Sequence, residues 1–180
     1  MKKELFREVE IPEGIEAELE GHMLRLKGPA GENHRNFKLH NLDFKMEGNK
    51  FIIGNKKSTK REKKLMNVVA SHIKNMIKGV EKRYEYDLKV CFSHFPITVE
   101  MKGKEVLIKN FLGEKIPRKM TIPGGVEVDI NKDVIKVKST SKELAGQVAA
   151  NFETVTKIRN RDKRVFQDGI FITSKAGRHM

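Results

Sequence analysis

Three short segments concentrate ammonium and guanidinium groups. They are Lys56-Lys57-Ser58-Thr59-Lys60-Arg61-Glu62-Lys63-Lys64, the stretch from Lys109 to Lys119, and Lys157-Ile158-Arg159-Asn160-Arg161-Asp162-Lys163-Arg164. Lys175 and Arg178 follow in a tail rich in small residues. The chemistry these types offer is anion binding: guanidinium is a planar fork that meets a phosphate or carboxylate through two bonds, and lysine is a mobile point charge. An isolated lysine-rich run is commonly no more than a solvated face. In the second half, however, arginines gather where few acidic residues interleave, and loops on a rigid scaffold are where binding groups concentrate. The principal candidate surface is therefore Lys109, Lys115, Arg118, Lys119, Lys157, Arg159, Arg161, Lys163, Arg164, Lys175 and Arg178. Asn110 and His94, which stands beside Phe95-Pro96, are added as neighbouring polar contacts, and Lys56, Lys57 and Lys60 form a lesser group.

The whole chain supports an anionic partner. It has 180 residues, 34% of them charged, a formal net charge of +13 and a pI near 9.8. Such a balance points to a polyanion, with nucleic acid the default. No segment is long and apolar enough for a spanning helix, so no membrane partner is expected. Met1-Lys2-Lys3-Glu4-Leu5 lacks the apolar stretch of a secretory signal, and the expected location is cytoplasmic. Cys91, the single cysteine, reads as a small buried strand residue. Catalytic chemistry is missing. His22, His34, His40, His72, His94 and His179 have no paired ligand spacing, so neither metal nor other cofactor is expected. Gly124-Gly125 follows a proline rather than a strand and reads as a turn, not a phosphate loop. No nucleophile elbow is present, and the acidic residues alternate along strands instead of converging. The expectation is a binding protein, not an enzyme.

A repeat organises the elements that must position these groups. Ile11-Pro12-Glu13-Gly14-Ile15-Glu16-Ala17-Glu18-Leu19 returns 111 positions later as Ile122-Pro123-Gly124-Gly125-Val126-Glu127-Val128-Asp129-Ile130. Alternation continues through Leu24 and Leu26, and through Ile135 and Val137, so one hairpin with a buried face is built twice. Asn67-Val68-Val69-Ala70-Ser71 matches Gln147-Val148-Ala149-Ala150-Asn151 at an offset of 80. The first copy therefore holds 31 more residues between hairpin and helix, room for extra strands at Phe37–Leu39, Leu42–Met46 and Phe51–Ile53. Thr59 with Glu62, and Thr140 with Glu143, have capping-box spacing and predict helix starts. Leu65, Val69, Ile73 and Ile77 give the first helix an apolar stripe with His72 at its boundary, ending near Gly79-Val80; Leu144, Ala145, Val148, Ala149, Phe152 and Val155 serve the second. Further strands are expected from Tyr84 to Val90, Ile97 to Met101 and Val106 to Lys109, with Asp168-Gly169 as a hairpin turn between Val165–Gln167 and Ile170–Ile172. The fold expected is α+β: two tandem duplicated domains, residues 1–82 and 83–180, each an antiparallel sheet covered on one face by a helix.

Structured RNA suits this scaffold better than DNA. No helix-turn-helix, zinc-finger spacing or basic zipper offers itself to a major groove. Nor is there the aromatic signature of a sheet-based single-strand reader, with no Trp and two Tyr. Shape and phosphate contacts from basic loops remain.

The duplicated units, the Ile-Pro-x-Gly openings, Asn75-Met76-Ile77-Lys78-Gly79-Val80, His94-Phe95-Pro96-Ile97, Asn110-Phe111-Leu112-Gly113-Glu114-Lys115, Gly146-Gln147-Val148-Ala149-Ala150-Asn151 and Val165-Phe166-Gln167-Asp168-Gly169-Ile170 resemble the family of the sixth protein of the large ribosomal subunit, in its archaeal and eukaryotic-type branch. The bacterial branch typically carries Pro-Tyr-Lys-Gly-Lys-Gly near the last hairpin; Val165 to Gly169 departs from it, so contacts of those lysines do not transfer. The resemblance implies a structural protein binding large-subunit rRNA mainly through its second domain. It also implies a place at the base of the lateral stalk, beside stalk-base proteins and near the sarcin–ricin loop where translational GTPases dock. The first domain, acidic from Glu4 to Glu20, is expected to make fewer RNA contacts and to face proteins or solvent. Two other classes fit the charge alone. A free RNA regulator or chaperone would leave the subunit in high salt, and a nucleic-acid enzyme would need converging carboxylates or histidines with a metal.

Overall fold

In the computed structural model, residues 3–37, 39, 42–162 and 164–180 are described, so His40 and Lys163 lie outside the described residues. The chain divides into two compact units, Met1–Arg83 and Tyr84–Met180.

The first unit runs β1 (Lys3–Glu10), β2 (Glu16–Glu20), β3 (Met23–Gly28), β4 (Gly31–Asn36), β5 (Asp43–Glu47), β6 (Lys50–Ser58) and α1 (Lys60–Glu81). Its strands form two antiparallel three-stranded sheets, ordered β1-β6-β5 and β2-β3-β4. Helix α1 packs against strands of both. It buries Met66, Val69, Ile73, Met76, Ile77 and Val80 against Leu24, Leu26, Phe51 and Ile53, while Leu65 of the expected stripe is only half-buried. Each large side chain fully buried in such a core contributes about 1.5–3 kcal/mol. The capping box forms as spaced: the Glu62 carboxylate accepts from the Thr59 backbone N–H at 2.8 Å, and the Thr59 hydroxyl caps the first turn. The Thr59 hydroxyl also donates to the Glu62 carboxylate, and this bond first, then the backbone one, holds the Glu62 carboxyl below its ordinary range.

Three readings of this unit change. The third strand of the second sheet is Gly31–Asn36 rather than Phe37–Leu39. Its sequence is polar because one side faces solvent, and an apolar run was the wrong signal. Lys3–Glu10 is a strand that charge concealed, pairing along β6 from Lys3↔Ser58 to Glu10↔Lys50. The helix also continues past Gly79, which is buried, to Glu81.

The second unit runs β7 (Tyr84–Cys91), β8 (Thr98–Lys102), β9 (Glu105–Lys109), a short 3-10 turn (Phe111–Gly113), β10 (Arg118–Thr121), β11 (Val126–Asn131), β12 (Val134–Ser139), α2 (Lys142–Val155), β13 (Gly169–Lys175) and β14 (Arg178–His179). One sheet has five strands, β11-β12-β7-β13-β14, and the other three, β10-β9-β8. The duplication is reproduced to the register. Ala17↔Leu26 and Leu19↔Leu24 in the first hairpin match Val128↔Val137 and Ile130↔Ile135 in the second, each residue shifted by 111. Leu24, Leu26, Ile135 and Val137 are all buried. The class is α+β as expected, with the strands of each unit divided between two sheets.

Here too the structure corrects details. Ser141, not Thr140, caps α2, its hydroxyl accepting from the Leu144 N–H at 3.4 Å. Leu144 of the expected stripe is exposed, and Cys91 is only half-buried at the end of β7. Asp168-Gly169 is not a hairpin turn. Gly169 has a φ of 157° and opens β13, and residues 165–167 form no strand. The tight turn lies at Ala176-Gly177, with φ of 50° and 83°, joining Lys175 to Arg178. Positive φ at both central positions is what a type I′ hairpin needs.

Candidate nucleic-acid interface

One end of the second unit gathers three connecting segments: residues 92–97 after β7, residues 110–117 with the 3-10 turn between β9 and β10, and, of the described residues, 156–162 and 164–168 between α2 and β13. Side-chain bonds lock them together. The Asp168 carboxylate, buried at 5% exposure, accepts from the Ser93 backbone N–H at 2.7 Å and more weakly from its hydroxyl at 3.3 Å. This is where the apparent turn residue goes: it ties the last segment to the first. The Asn110 side-chain amide donates to the Pro96 carbonyl at 3.0 Å, with Asn110 itself in the left-handed region at φ 57°. Phe95 packs over Gly113, where a Cβ would lie 3.3 Å from the ring.

Arg118, the first residue of β10, joins the second segment to Val155 at the end of α2, where the third segment begins. Its guanidinium grips Glu114 through two bonds of 2.8 and 2.6 Å, donates to the Val155 carbonyl at 2.6 Å, and lies 4.2 Å from the Phe111 ring centroid. The side chain is 28% exposed. The Arg118 hydrogen bond holds the Glu114 carboxyl below its ordinary range despite partial desolvation. At the C-terminus of α2, Thr156 does similar work. Its buried hydroxyl donates to Phe152 O at 2.9 Å and accepts from the Ile170 N–H at 3.0 Å, turning the chain out of the helix into the basic loop.

Most of the candidate cations stand on this locked end. Lys115, Lys119, Lys157 and Arg159 are exposed and, among the described residues, hold no carboxylate partner. Arg161 lies over Phe166, 4.8 Å from its ring centroid. Arg164 is paired with Asp162 at 2.8 Å but remains 90% exposed. That bond raises the Arg164 pKa and lowers the Asp162 one. Asp162 also accepts the Arg164 backbone N–H, and its carbonyl takes those of Val165 and Phe166, so it fixes the bend that displays the arginines. Lys109 meets both oxygens of Glu100 at 2.7 Å and is partly neutralised, with the Glu100 pKa lowered in consequence. His94 is exposed, its ring edge-on to Phe95 at 4.8 Å.

The sequence grouped residues that the fold separates. Lys175 pairs with Tyr86 while Gly169 pairs with Cys91, so Lys175 and the hairpin bearing Arg178 sit at the other end of β7. At roughly 3.3 Å per residue that is about 17 Å away. Lys56, Lys57 and Lys60 belong to the first unit, at the end of β6 and the start of α1, all exposed.

Sequence reasoning missed the aromatic component. Phe92, Phe166 and Phe171 line an open groove of about 870 Å³, together with Ser93, Thr154, Lys157, Ile158, Gln167 and Asp168. Phe92 falls just after strand alternation ends and Phe171 on the outward phase of β13, and each signal in isolation reads as an ordinary exposed apolar residue.

Known proteins share this sequence across both units. The family model described as Ribosomal protein L6 matches residues 11–83 and again 95–169, one match in each unit. This chain belongs to the ribosomal protein L6 family. The chain is 43% identical over 177 residues to the large ribosomal subunit protein uL6 of Methanocella arvoryzae, covering 98% of this chain and 100% of that one. It is 41% identical over 175 residues to the uL6 protein of Methanothrix thermoacetophila, covering 97% and 99%, and 40% identical over 172 residues to that of Sulfurisphaera tokodaii, covering 95% and 92%. These are archaeal relatives, in agreement with the branch the motifs resemble. These relatives are named as proteins of the large ribosomal subunit. No helix of the described residues is long and apolar enough to cross a membrane.

Proposed function

We propose that this protein is a structural constituent of the large ribosomal subunit that holds large-subunit rRNA chiefly with the loop end of its second unit. The observation that carries this reading is the locking of two cation-bearing segments, one holding Lys115 and the other Lys157, Arg159, Arg161 and Arg164, around residues 92–97 by Asp168, Asn110 and Arg118. Pre-ordered cations lose little freedom on meeting phosphates, so a rigid RNA surface is met by a rigid protein one. Arg118, consumed by Glu114 and Val155, is a positioning residue; Lys115, Lys119, Lys157, Arg159, Arg161 and Arg164 contact phosphate, with Lys163 continuing their run. Lys175 and Arg178 reach a separate stretch of RNA. The first unit, acidic only from Glu4 to Glu20, contributes less, through Lys56, Lys57 and Lys60, and faces stalk-base proteins or solvent. By family resemblance the site is the base of the lateral stalk near the sarcin–ricin loop, with translational GTPases as indirect partners.

The test compares two triple variants of the full chain on large-subunit rRNA across a salt series. Lys157→Gln, Arg159→Gln and Arg161→Gln together should flatten the slope of log affinity against log salt by about three, roughly one for each phosphate no longer neutralised. Lys56→Gln, Lys57→Gln and Lys60→Gln should flatten it less. Equal effects, or no slope in the unaltered protein, would refute the assignment.

A further inference from the structure

The groove beside the basic loop has a chemistry that phosphate binding does not use. Phe92 is 42% exposed and Phe171 46% exposed, and both line it with Phe166. Phe171 lies back over Gly169, where a Cβ would come within 3.1 Å of its ring, so the glycine gives the ring its place against the backbone. The Phe166 ring carries the Arg161 guanidinium. Lys157, Gln167 and Thr154 add polar groups to the walls. The nearby carboxylates are occupied: Glu153 accepts from the Ile172 N–H at 3.0 Å, and Asp168 from Ser93. The volume, about 870 Å³, falls within the range of about 300–1,000 Å³ for sites that enclose a small ligand.

Resting on the RNA reading above, we propose that this groove receives a single unstacked nucleobase of the bound RNA, placed against Phe92 and Phe171 while Lys157 and Arg161 hold its flanking phosphates. The argument is complementarity to both halves of a nucleotide. A flat aromatic ring joined to an anion meets an aromatic floor inside a cationic rim, and every base has a face that stacks. A duplex keeps its bases stacked and meets only the rim. The contact would add a point of register to an interface otherwise made of phosphate contacts, which carry no sequence information.

The probe is a five-nucleotide single-stranded RNA, uridines flanking a central 2-aminopurine, together with the same oligomer abasic at the centre. The full-length protein should bind the first about 5- to 150-fold more tightly than the second, the range expected for one base on an aromatic platform. Its 2-aminopurine emission should also be quenched. Phe92→Leu with Phe171→Leu should abolish the difference and leave the salt slope unchanged; both positions are partly exposed and leucine keeps an apolar group there. As a second measurement independent of the variants, 4-thiouridine at the centre should crosslink to peptides containing Phe92 or residues 166–171. Equal affinity for the two oligomers, or crosslinks elsewhere, would overturn the groove assignment while leaving steep salt dependence on rRNA intact. Displacement by polyglutamate without any abasic discrimination would assign the groove to anions in general and also overturn it. Loss of salt-dependent rRNA binding itself would instead sink the reading beneath it.

Discussion

Removing the Asp168 carboxylate should unlock the basic end of the second unit, and the cost follows from its bonds. Asp168→Ala deprives the part-buried Ser93 N–H of an acceptor 2.7 Å away, and the Ser93 hydroxyl of one at 3.3 Å. A hydrogen bond to a charged acceptor contributes about 1.5–3 kcal/mol, and the long hydroxyl contacts add little. The variant should lose about 2–3 kcal/mol. Asp168→Asn, which keeps one acceptor oxygen, should lose about half that. Ser93→Ala, which removes only the weaker contacts, should cost under about 1 kcal/mol. Tyrosine emission isolates the relevant unit, because the two tyrosines of the chain, Tyr84 and Tyr86, are both in it. With an m-value of about 1–1.5 kcal/mol/M for a unit of this size, the urea midpoint of Asp168→Ala should fall by roughly 1.3–3 M at unchanged slope. RNA affinity should weaken as well, since the loop is no longer held against residues 92–97. A midpoint shift below about 0.5 M, or a Ser93→Ala variant as damaged as Asp168→Ala, would refute the view that the buried carboxylate acts through the backbone amide.

Arg118→Lys should destabilise the same unit by about 1–2 kcal/mol in urea unfolding, because an ammonium cannot meet Glu114 with two bonds, reach Val155 O and cover Phe111 at once. The pH dependence has a fixed sign. Glu114 is held below its ordinary value of 4.5, so the ion pair's contribution is complete above that pH and fades as pH falls through the lower folded value. The stability gap between wild type and variant should therefore narrow in acid, and a gap that widens below pH 4.5 would contradict the pairing. In the first unit, Gly28→Ala would place a Cβ 2.7 Å from the Val80 carbonyl oxygen and should cost about 1–3 kcal/mol, read as faster hydrogen exchange at the end of α1. Gly124→Ala in the second unit, where a Cβ meets nothing within 4 Å, should leave the urea midpoint read by tyrosine emission unchanged.

The elements legible in the sequence are those in which local and global physics agree. Alternation at Leu24 and Leu26, and at Ile135 and Val137, announces a half-buried hairpin because the side-chain period of a strand is two. Its recurrence at a fixed spacing exposes the duplication before any contact is known. Thr59 and Glu62 announce α1 because a capping box is closed within one turn. Net charge and the clustering of Arg159 and Arg161 point to a polyanion, since Coulombic attraction at the surface depends little on the details of packing.

Tertiary structure alone decided the rest. Lys3–Glu10 and Gly31–Asn36 are strands because neighbours complete their hydrogen bonds, while their polar sequences carry no alternation to read. Asp168-Gly169 has the local form of a turn, yet Ser93, 75 positions earlier in the chain, claims the carboxylate. Arg118 has the same charge as Arg159 but is spent on Glu114 and Val155, and Lys175 is carried to the far end of β7 by strand register. The aromatic groove joins Phe92 to Phe166 and Phe171 across the sheet. A linear sequence specifies which groups are available, but contacts between residues far apart in the chain exist only once the backbone has satisfied its own bonds and brought them together.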